Sequence, residues 1–282
     1  MEIRKWIKKG AELKKEIDEA LVCDGQLALW PIGQCGFIIK STDLVVGIDL
    51  VLSDLFDKQG KSRRLFAPPF EPKDCPHLDY LCCSHAHADH LDLGTVQGVL
   101  LSNPDAKCIV SAAHGNLLKK VDPAQVLLVR QEEKLVLSST CSLEAVAVAH
   151  ENYVFDEQGN SQFLGFLFDF GSIRLFHSGD AILEPVLANR MQKARPLTIL
   201  LLPINGRDER RHQEGIIGNM DAAEAISFAR AVQAKLLVPT HFDMFAANGA
   251  DPAVFASLMQ ENCPEILYHI PLLGEQFRYG KE

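Results

Sequence analysis

The stretch "LCCSHAHADHLD", residues 81–92, crowds imidazoles and carboxylates into one turn behind an apolar run. Neutral imidazole and carboxylate are good ligands for divalent metals. In an H-x-H pair at a strand end, His85 and His87 can reach the same ion. Asp89 and His90, placed after a turn, can reach a second ion nearby. The pattern starts two adjacent metal sites and completes neither, because each ion needs further ligands and an open position for water. The remaining ligands are expected at other strand ends. His150 closes "EAVAVAH", Asp180 closes "RLFHSGD" and His241 closes "KLLVPTH". An aspartate between two cations is a natural bridge, since its two oxygens can serve both. The single histidines His114, His177 and His212 read as ordinary polar loop residues.

The order and context of these residues resemble the metallo-β-lactamase superfamily, whose hallmark is H-x-H-x-D-H followed by single His, Asp and His ligands. The stretches "LALWPIGQCGFIIK", "FHSGD", "INGRD", "IGNMDAAEAI" and "AKLLVPTHFDMFAANGADP" further resemble its L-ascorbate-6-phosphate lactonase-like branch, from about residue 25 to the C-terminus. The resemblance implies that His85, His87 and His150 hold one ion, that Asp89, His90 and His241 hold the other, and that Asp180 bridges them. It implies two divalent metal ions, Mn2+ or Zn2+, and a homo-oligomer. The implied fold is α/β, a four-layer αβ/βα sandwich of two mixed β-sheets flanked by helices, with the site at one edge between the sheets.

Two cations about 3.5–4 Å apart lower the pKa of a shared water towards neutrality. The expected chemistry is attack by a metal-bridged hydroxide on a carbonyl or phosphorus. Asp89 is the catalytic candidate, orienting the nucleophile or shuttling its proton. No G-x-S-x-G elbow or G-x-x-x-x-G-K-[ST] phosphate loop appears, which removes two rival mechanisms. The substrate loop is expected in "PINGRDERRHQEGIIGNMD", residues 203–221, where Asn205, Arg207 and Asn219 are the candidate binding residues. Arginine suits bidentate recognition of phosphate or carboxylate, whereas Arg210 and Arg211 read as solvated surface charges. Asp243 could orient a ligand histidine, touch substrate or cap the following turn.

The elements that must position these residues are legible in outline. "LALW", "CGFIIK", "DLVVGIDL", "YLCCS", "KCIVS", "QVLLV", "EKLVL" and "SLEAVAVAH" read as strands. "FLGFLFDFGSIRLFHSGD" reads as a hairpin turning at Gly171. "TILLLPING" and "KLLVPTHFD" read as apolar strands ending in polar residues. Between them "DAAEAISFARAVQA" reads as a helix capped by Asp221, with Glu224 completing a capping box. Residues 55–78 read as a long loop, of a length often found in functional lids. Ile3, Ile7, Leu13, Ile17 and Leu21 recur at near-helical spacing. The expected organisation is therefore an N-terminal amphipathic helix over 1–24 and one domain over 25–282. The helix packs either on its own domain or against another subunit.

Length and composition bound the function. The 282 residues suffice for a sizeable core, and 47% hydrophobic with 23% charged residues is ordinary for a globular chain. A net charge of −9 argues against a nucleic-acid partner. No signal peptide or run of about 18 apolar residues is present, so no membrane partner is expected and the cytoplasm is the expected location. None of the eight cysteines forms a C-x-x-C pair, and most read as small buried hydrophobes. The leading expectation is a metal-dependent hydrolase of a small anionic substrate such as a phosphorylated sugar lactone. The alternatives are a metal-dependent phosphodiesterase or nuclease of the same fold, and a non-catalytic metal or ligand sensor.

Overall fold

The computed structural model describes residues 5–56 and 62–280. Helix α1 (Gly10–Glu19) precedes strands β1 (Gln26–Gly33), β2 (Gly36–Lys40), β3 (Val45–Ile48) and β4 (Tyr80–Cys83). Helix α2 (Leu93–Ser102), β5 (Lys107–Ser111) and β6 (Val126–Val129) follow. The second half runs β7 (Lys134–Val136), β8 (Ser142–Ala147), β9 (Leu164–Asp169), β10 (Arg174–His177), α3 (Pro185–Lys193) and β11 (Ile199–Pro203). It continues with α4 (Glu209–Gln213), α5 (Ala222–Val232), β12 (Leu236–Thr240), α6 (Pro252–Asn262), β13 (Leu267–Tyr268) and β14 (Phe277–Gly280). Every run read as a strand from sequence contains one.

The strands form two seven-stranded sheets, ordered β14-β1-β2-β3-β4-β5-β6 and β13-β12-β11-β10-β9-β8-β7. Both are mixed. In the first, β3 to β6 run parallel and the pairs from β14 to β3 are antiparallel. In the second, β7 to β10 pair antiparallel and β10 to β13 parallel. Alternation along each strand divides the side chains between two faces. Leu27 and Leu29 of β1 meet Phe166, Phe168 and Leu201 between the sheets. Ala28 and Trp30 of the same strand face Leu13 and Ile17 of α1 and Val96 and Val99 of α2. On the far side, α3, α5 and α6 cover the second sheet through Leu187, Met191, Phe228 and Phe255. The result is the expected four-layer arrangement, helix–sheet–sheet–helix. Burial of each large apolar side chain contributes about 1.5–3 kcal/mol, so both sheet faces are strongly specified.

The N-terminal helix is shorter than its apolar spacing predicts. Lys9 is extended and Gly10 sits at φ +59°, while Ala20 is again extended, so the helix is confined to Gly10–Glu19. Leu13 and Ile17 are buried against the first sheet, whereas Ile7 and Leu21 are 56% and 83% exposed. Ile3 lies outside the described residues. Within the described chain, the buried pair packs the helix on its own fold. The Glu16 carboxylate accepts a hydrogen bond from Trp30 Nε1 at 3.0 Å. Lys40 Nζ donates to the carbonyls of Ile17 and Asp18 at 2.8 and 2.9 Å, satisfying the helix C-terminus.

Helix α5 carries the expected capping box, with Asp221 accepting from the Glu224 N–H at 2.8 Å and Glu224 accepting from the Asp221 N–H at 3.0 Å. The β9–β10 hairpin turns at Gly171, whose φ of +76° suits glycine. Within the expected 55–78 loop, residues 57–61 lie outside the described residues. The described part holds a bridge between Phe56 and Ser62 and a short 3-10 turn at Pro72–Asp74. Among the described residues, no helix is long and apolar enough to cross a membrane.

Candidate metal centre

Parallel strands of both sheets end at the same edge. His85 follows β4, Asp180 follows β10, His241 follows β12, and His150 stands three residues beyond β8. The chain turns sharply at these points. Gly179 has φ +55°, and a Cβ there would lie 2.9 Å from the Ser84 side chain. That close approach is what sets Asp180 against the histidine cluster. His241, Gln34 and Asp49 hold φ values of +57°, +56° and +44° without being glycine. Such backbone is uncommon and concentrates at functional sites.

The structure brings most of the sequence-predicted ligands together. Candidate ligand atoms of His85, His87 and Asp180 lie within 4.8 Å of one another, as do those of Asp89, His90 and His241. Asp180 touches both groups. Its Oδ1 lies 3.1 Å from His90 Nε2, and its Oδ2 lies 3.3 Å from His241 Nε2 and 3.8 Å from His85 Nε2. His150 stands slightly apart, its ring centroid 5.2 Å from that of His87 and 5.8 Å from that of His85. Asp92, the last acid of the cluster, is not directed at the ligands. It caps α2 by accepting from the Gly94 N–H at 3.0 Å, and it also accepts from the Ser53 N–H at 2.9 Å.

The donor set fits divalent ions. His90 Nε2 and His150 Nδ1 are buried without a hydrogen-bond partner, which is costly unless something else satisfies them. His85 Nε2 and His87 Nδ1 converge to 2.9 Å. Burial holds His85 and His150 below the usual histidine range, and partial desolvation does the same for His87, whose side chain stays open to solvent; this favours the neutral imidazole that a metal requires. Burial also acts to lower His90 and His241, but neighbouring carboxylates, Asp180 foremost, outweigh it. They raise His90 well above its usual value and His241 to about 9. Burial alone would raise Asp89 and Asp180, yet the His90 and His241 charges hold both carboxyls low and ionised.

Several functional residues escaped the sequence reading. Asp49, fully buried at the end of β3, accepts from His90 Nδ1 at 2.8 Å and from the N–H and Oγ of Ser84, both at 2.7 Å. It fixes which His90 nitrogen faces the cluster, a common task for a carboxylate behind a candidate metal ligand. The signal was present, since "VVGID" is an apolar strand ending in an acid like the others. Gln34 had no signal. Its Nε2 lies 2.8 Å from Asp89 Oδ2 and 2.9 Å from His241 Nε2. Its own backbone is clamped by Asp243 Oδ1, which accepts from the Gln34 N–H at 2.8 Å, and by the His241 N–H, which donates to the Gln34 carbonyl at 2.9 Å. Asp243 thus positions the turn beside the centre. His177, read as a loop residue, is instead fully buried inside β10. Its Nδ1 accepts from the Gly179 N–H at 3.1 Å and its Nε2 donates to the Cys35 carbonyl at 2.8 Å, so it braces the Asp180 turn.

A cavity of about 700 Å³ opens over the centre, lined by His87, Asp89, His150, Asp180 and His241 together with Leu55, Ser62, Arg63, Ile216, Ile217, Phe245 and Asn248. The 203–221 loop contributes to its wall, but through Gly215, Ile216 and Ile217. Arg207, expected to hold substrate, instead forks onto Glu224 at 2.6 and 2.7 Å and donates to the Asn219 carbonyl at 2.9 Å. Its donors are committed to the cap of α5, and it does not line the cavity. Asn205 and Asn219 are buried behind the wall. Asn219 Nδ2 donates to Asn205 Oδ1 at 3.1 Å, and Asn205 Nδ2 donates to Asn248 Oδ1 at 2.9 Å. Arg211, read as a solvated charge, ties the loop down by donating to the Gly206 and Gly249 carbonyls at 3.1 and 2.8 Å.

A sequence model of the beta-lactamase superfamily domain matches residues 46–242. A metal-dependent hydrolase of Archaeoglobus fulgidus is 25% identical over 224 residues, covering 76% of this chain and 87% of the relative. A probable L-ascorbate-6-phosphate lactonase of Escherichia coli is 24% identical over 278 residues, covering 86% of this chain and 77% of the relative. Among solved structures, a metallo hydrolase from Ignicoccus hospitalis superposes with a TM-score of 0.68 at 16% identity, over 91% of this chain and 100% of the other. An isothiocyanate hydrolase from Delia radicum gut bacteria gives 0.70 at 15% identity, over 90% and 99%.

Proposed function

Because the chain belongs to the metallo-β-lactamase superfamily of metal-dependent hydrolases, we propose that it hydrolyses a small anionic ester or lactone, a phosphorylated sugar lactone being the best-fitting class. The observation that carries the reading is Asp180, whose two oxygens reach histidines of both clusters, where His90 Nε2 is buried without a hydrogen-bond partner. His85, His87, His150 and Asp180 would hold one ion, and Asp89, His90, His241 and Asp180 the other. When bound, a metal pair supplies Lewis acidity and a water of lowered pKa. The protein's own groups do the rest. Gln34 Nε2 holds Asp89 at Oδ2, leaving Oδ1 to orient the attacking water and take its proton. Asp49 keeps His90 turned towards the centre. Leu55, Ile216, Ile217 and Phe245 form apolar walls that exclude bulk water from the substrate's carbon frame.

Support for the lactone comes from the lactonase relative. Manganese or zinc, a homo-oligomer and a cytoplasmic location accompany the same reading. The test compares a sugar-phosphate lactone with bis(p-nitrophenyl) phosphate and short RNA, using protein of measured metal content. Turnover of the lactone alone is expected. Faster turnover of the phosphodiesters would replace this reading with a phosphodiesterase, and two tightly held ions without any turnover would favour a sensor.

A further inference from the structure

The metal cavity needs a residue for the substrate's charge, and Arg207 is committed to Glu224. Among the described lining residues, Arg63 is the side chain with a permanent positive charge. We propose that Arg63 is the specificity residue, binding a phosphate monoester on the substrate while the scissile group lies at the metal ligands; this rests on the hydrolase reading above.

The two adjacent arginines are used differently. Arg64 is buried, and its guanidinium donates to the carbonyls of Val51, Ser53 and Phe66 at 2.7, 3.0 and 3.2 Å. The Leu65 N–H donates to the Met244 carbonyl at 2.8 Å, and the Arg63 N–H donates to the Leu55 carbonyl at 2.8 Å. These bonds fix the backbone on both sides of Arg63. Its own side chain is left exposed in the cavity, with the guanidinium carbon 5.2 Å from the Phe245 ring centroid. Stacking on an aromatic face preorganises a guanidinium without consuming its in-plane donors. Among the described residues no carboxylate pairs with it, in contrast to Arg174, Arg190, Arg207, Arg210 and Arg211.

Charge gives the fork a use. The chain carries −9 overall, and the acids lining the cavity, Asp89 and Asp180, are proposed metal ligands. An anionic substrate arm beyond the ions therefore meets Arg63 as its counter-charge. Ser62 and Asn248 line the same cavity. Asn248 Oδ1 is already taken by Asn205, so its amide N–H groups remain as donors. A fork with two neutral donors matches the three terminal oxygens of a phosphate monoester better than the two of a carboxylate.

The experiment titrates metal-loaded wild type, Arg63→Ala and Arg63→Lys with 6-phosphogluconate, glucarate and gluconate, followed by calorimetry. These probes share one carboxylate and differ at the far carbon, which carries phosphate, carboxylate or hydroxyl. Wild type is expected to prefer the phosphorylated probe. Arg63→Ala should weaken that probe roughly 10- to 100-fold and gluconate by less than about 2-fold, the size of one charge-assisted contact. Arg63→Lys should restore part of the loss. In parallel, kcat/KM for 6-phosphoglucono-δ-lactone should fall in Arg63→Ala while that for glucono-δ-lactone holds. Equal loss on phosphorylated and unphosphorylated probes, no loss, or no wild-type preference for phosphate would overturn the assignment. Glucarate matching 6-phosphogluconate would overturn the choice of phosphate. Arg63-dependent binding without turnover of either lactone would sustain the anion site and reject lactone hydrolysis.

Discussion

At Asp180 one carboxylate lies within 3.1 to 3.8 Å of three histidines from two different strand ends. A side chain so placed serves both clusters, so Asp180→Ala should lower occupancy at both sites together. Elemental analysis of protein purified without chelator should find close to two ions in wild type and fewer in the variant. Retention of both ions at wild-type affinity would remove the bridge. The cysteines form a separate case. Cys35, Cys75, Cys82, Cys83, Cys108, Cys141 and Cys263 are buried, and Cys23 is exposed. Burial pushes the thiols of Cys141 and Cys263 up to about 12 and about 11, and also raises those of Cys35 and Cys82 well above the usual thiol range. A raised thiol pKa keeps the unreactive protonated form through neutral pH. Iodoacetamide at pH 7 to 9 should therefore place one label, at Cys23, with activity unchanged, as mass spectrometry of the folded protein can check. Loss of activity on labelling would mean that a thiol takes part in the chemistry.

At the scale of elements, helix α5 links the cap to the fate of Arg207. Glu224 both caps the helix and receives the Arg207 fork. Asp221→Ala removes the reciprocal partner of the box and should cost about 1 kcal/mol in denaturant unfolding. Arg207→Ala breaks a pair whose arginine side chain is 44% exposed, so solvent screening limits its cost to about 1 kcal/mol or less. Neither change should alter the preference between phosphorylated and unphosphorylated lactones. A selective loss on the phosphorylated substrate in Arg207→Ala would return that arginine to the binding site.

At the scale of the whole molecule, the centre joins the two sheets. Asp49, His85, His87, Asp89 and His90 come from loops of the first sheet, and His150, Asp180 and His241 from loops of the second. Ions held between them would link the two halves in the folded state only. Ion binding at about 100 times its dissociation constant adds about 2.7 kcal/mol per site. Chelation should therefore lower the melting temperature, and re-addition of manganese or zinc should restore it. An unchanged melting temperature with ions demonstrably removed would show that the packed sheets alone set the stability.

The sequence by itself determined the candidate-ligand pattern and the strands that carry it, and its family resemblance implied the fold class. The pattern and the strands rest on local spacing: H-x-H-x-D-H behind an apolar run, single acids and histidines at strand ends, and a two-residue alternation of side chains between faces. Helix α5 was legible for the same reason, since its capping box lies within four residues. Tertiary structure decided what each polar side chain faces. Nothing near Arg207 in the chain announces that its fork meets Glu224, which lies 17 residues on. Nothing in "KSRRLF" tells which arginine is buried and which enters the cavity, because the carbonyls of Val51 and Ser53 make that choice. Gln34 reaches Asp89 across 55 residues and Asp243 across 209. Such contacts depend on how the ends of two sheets meet, a geometry that spacing along one strand does not encode.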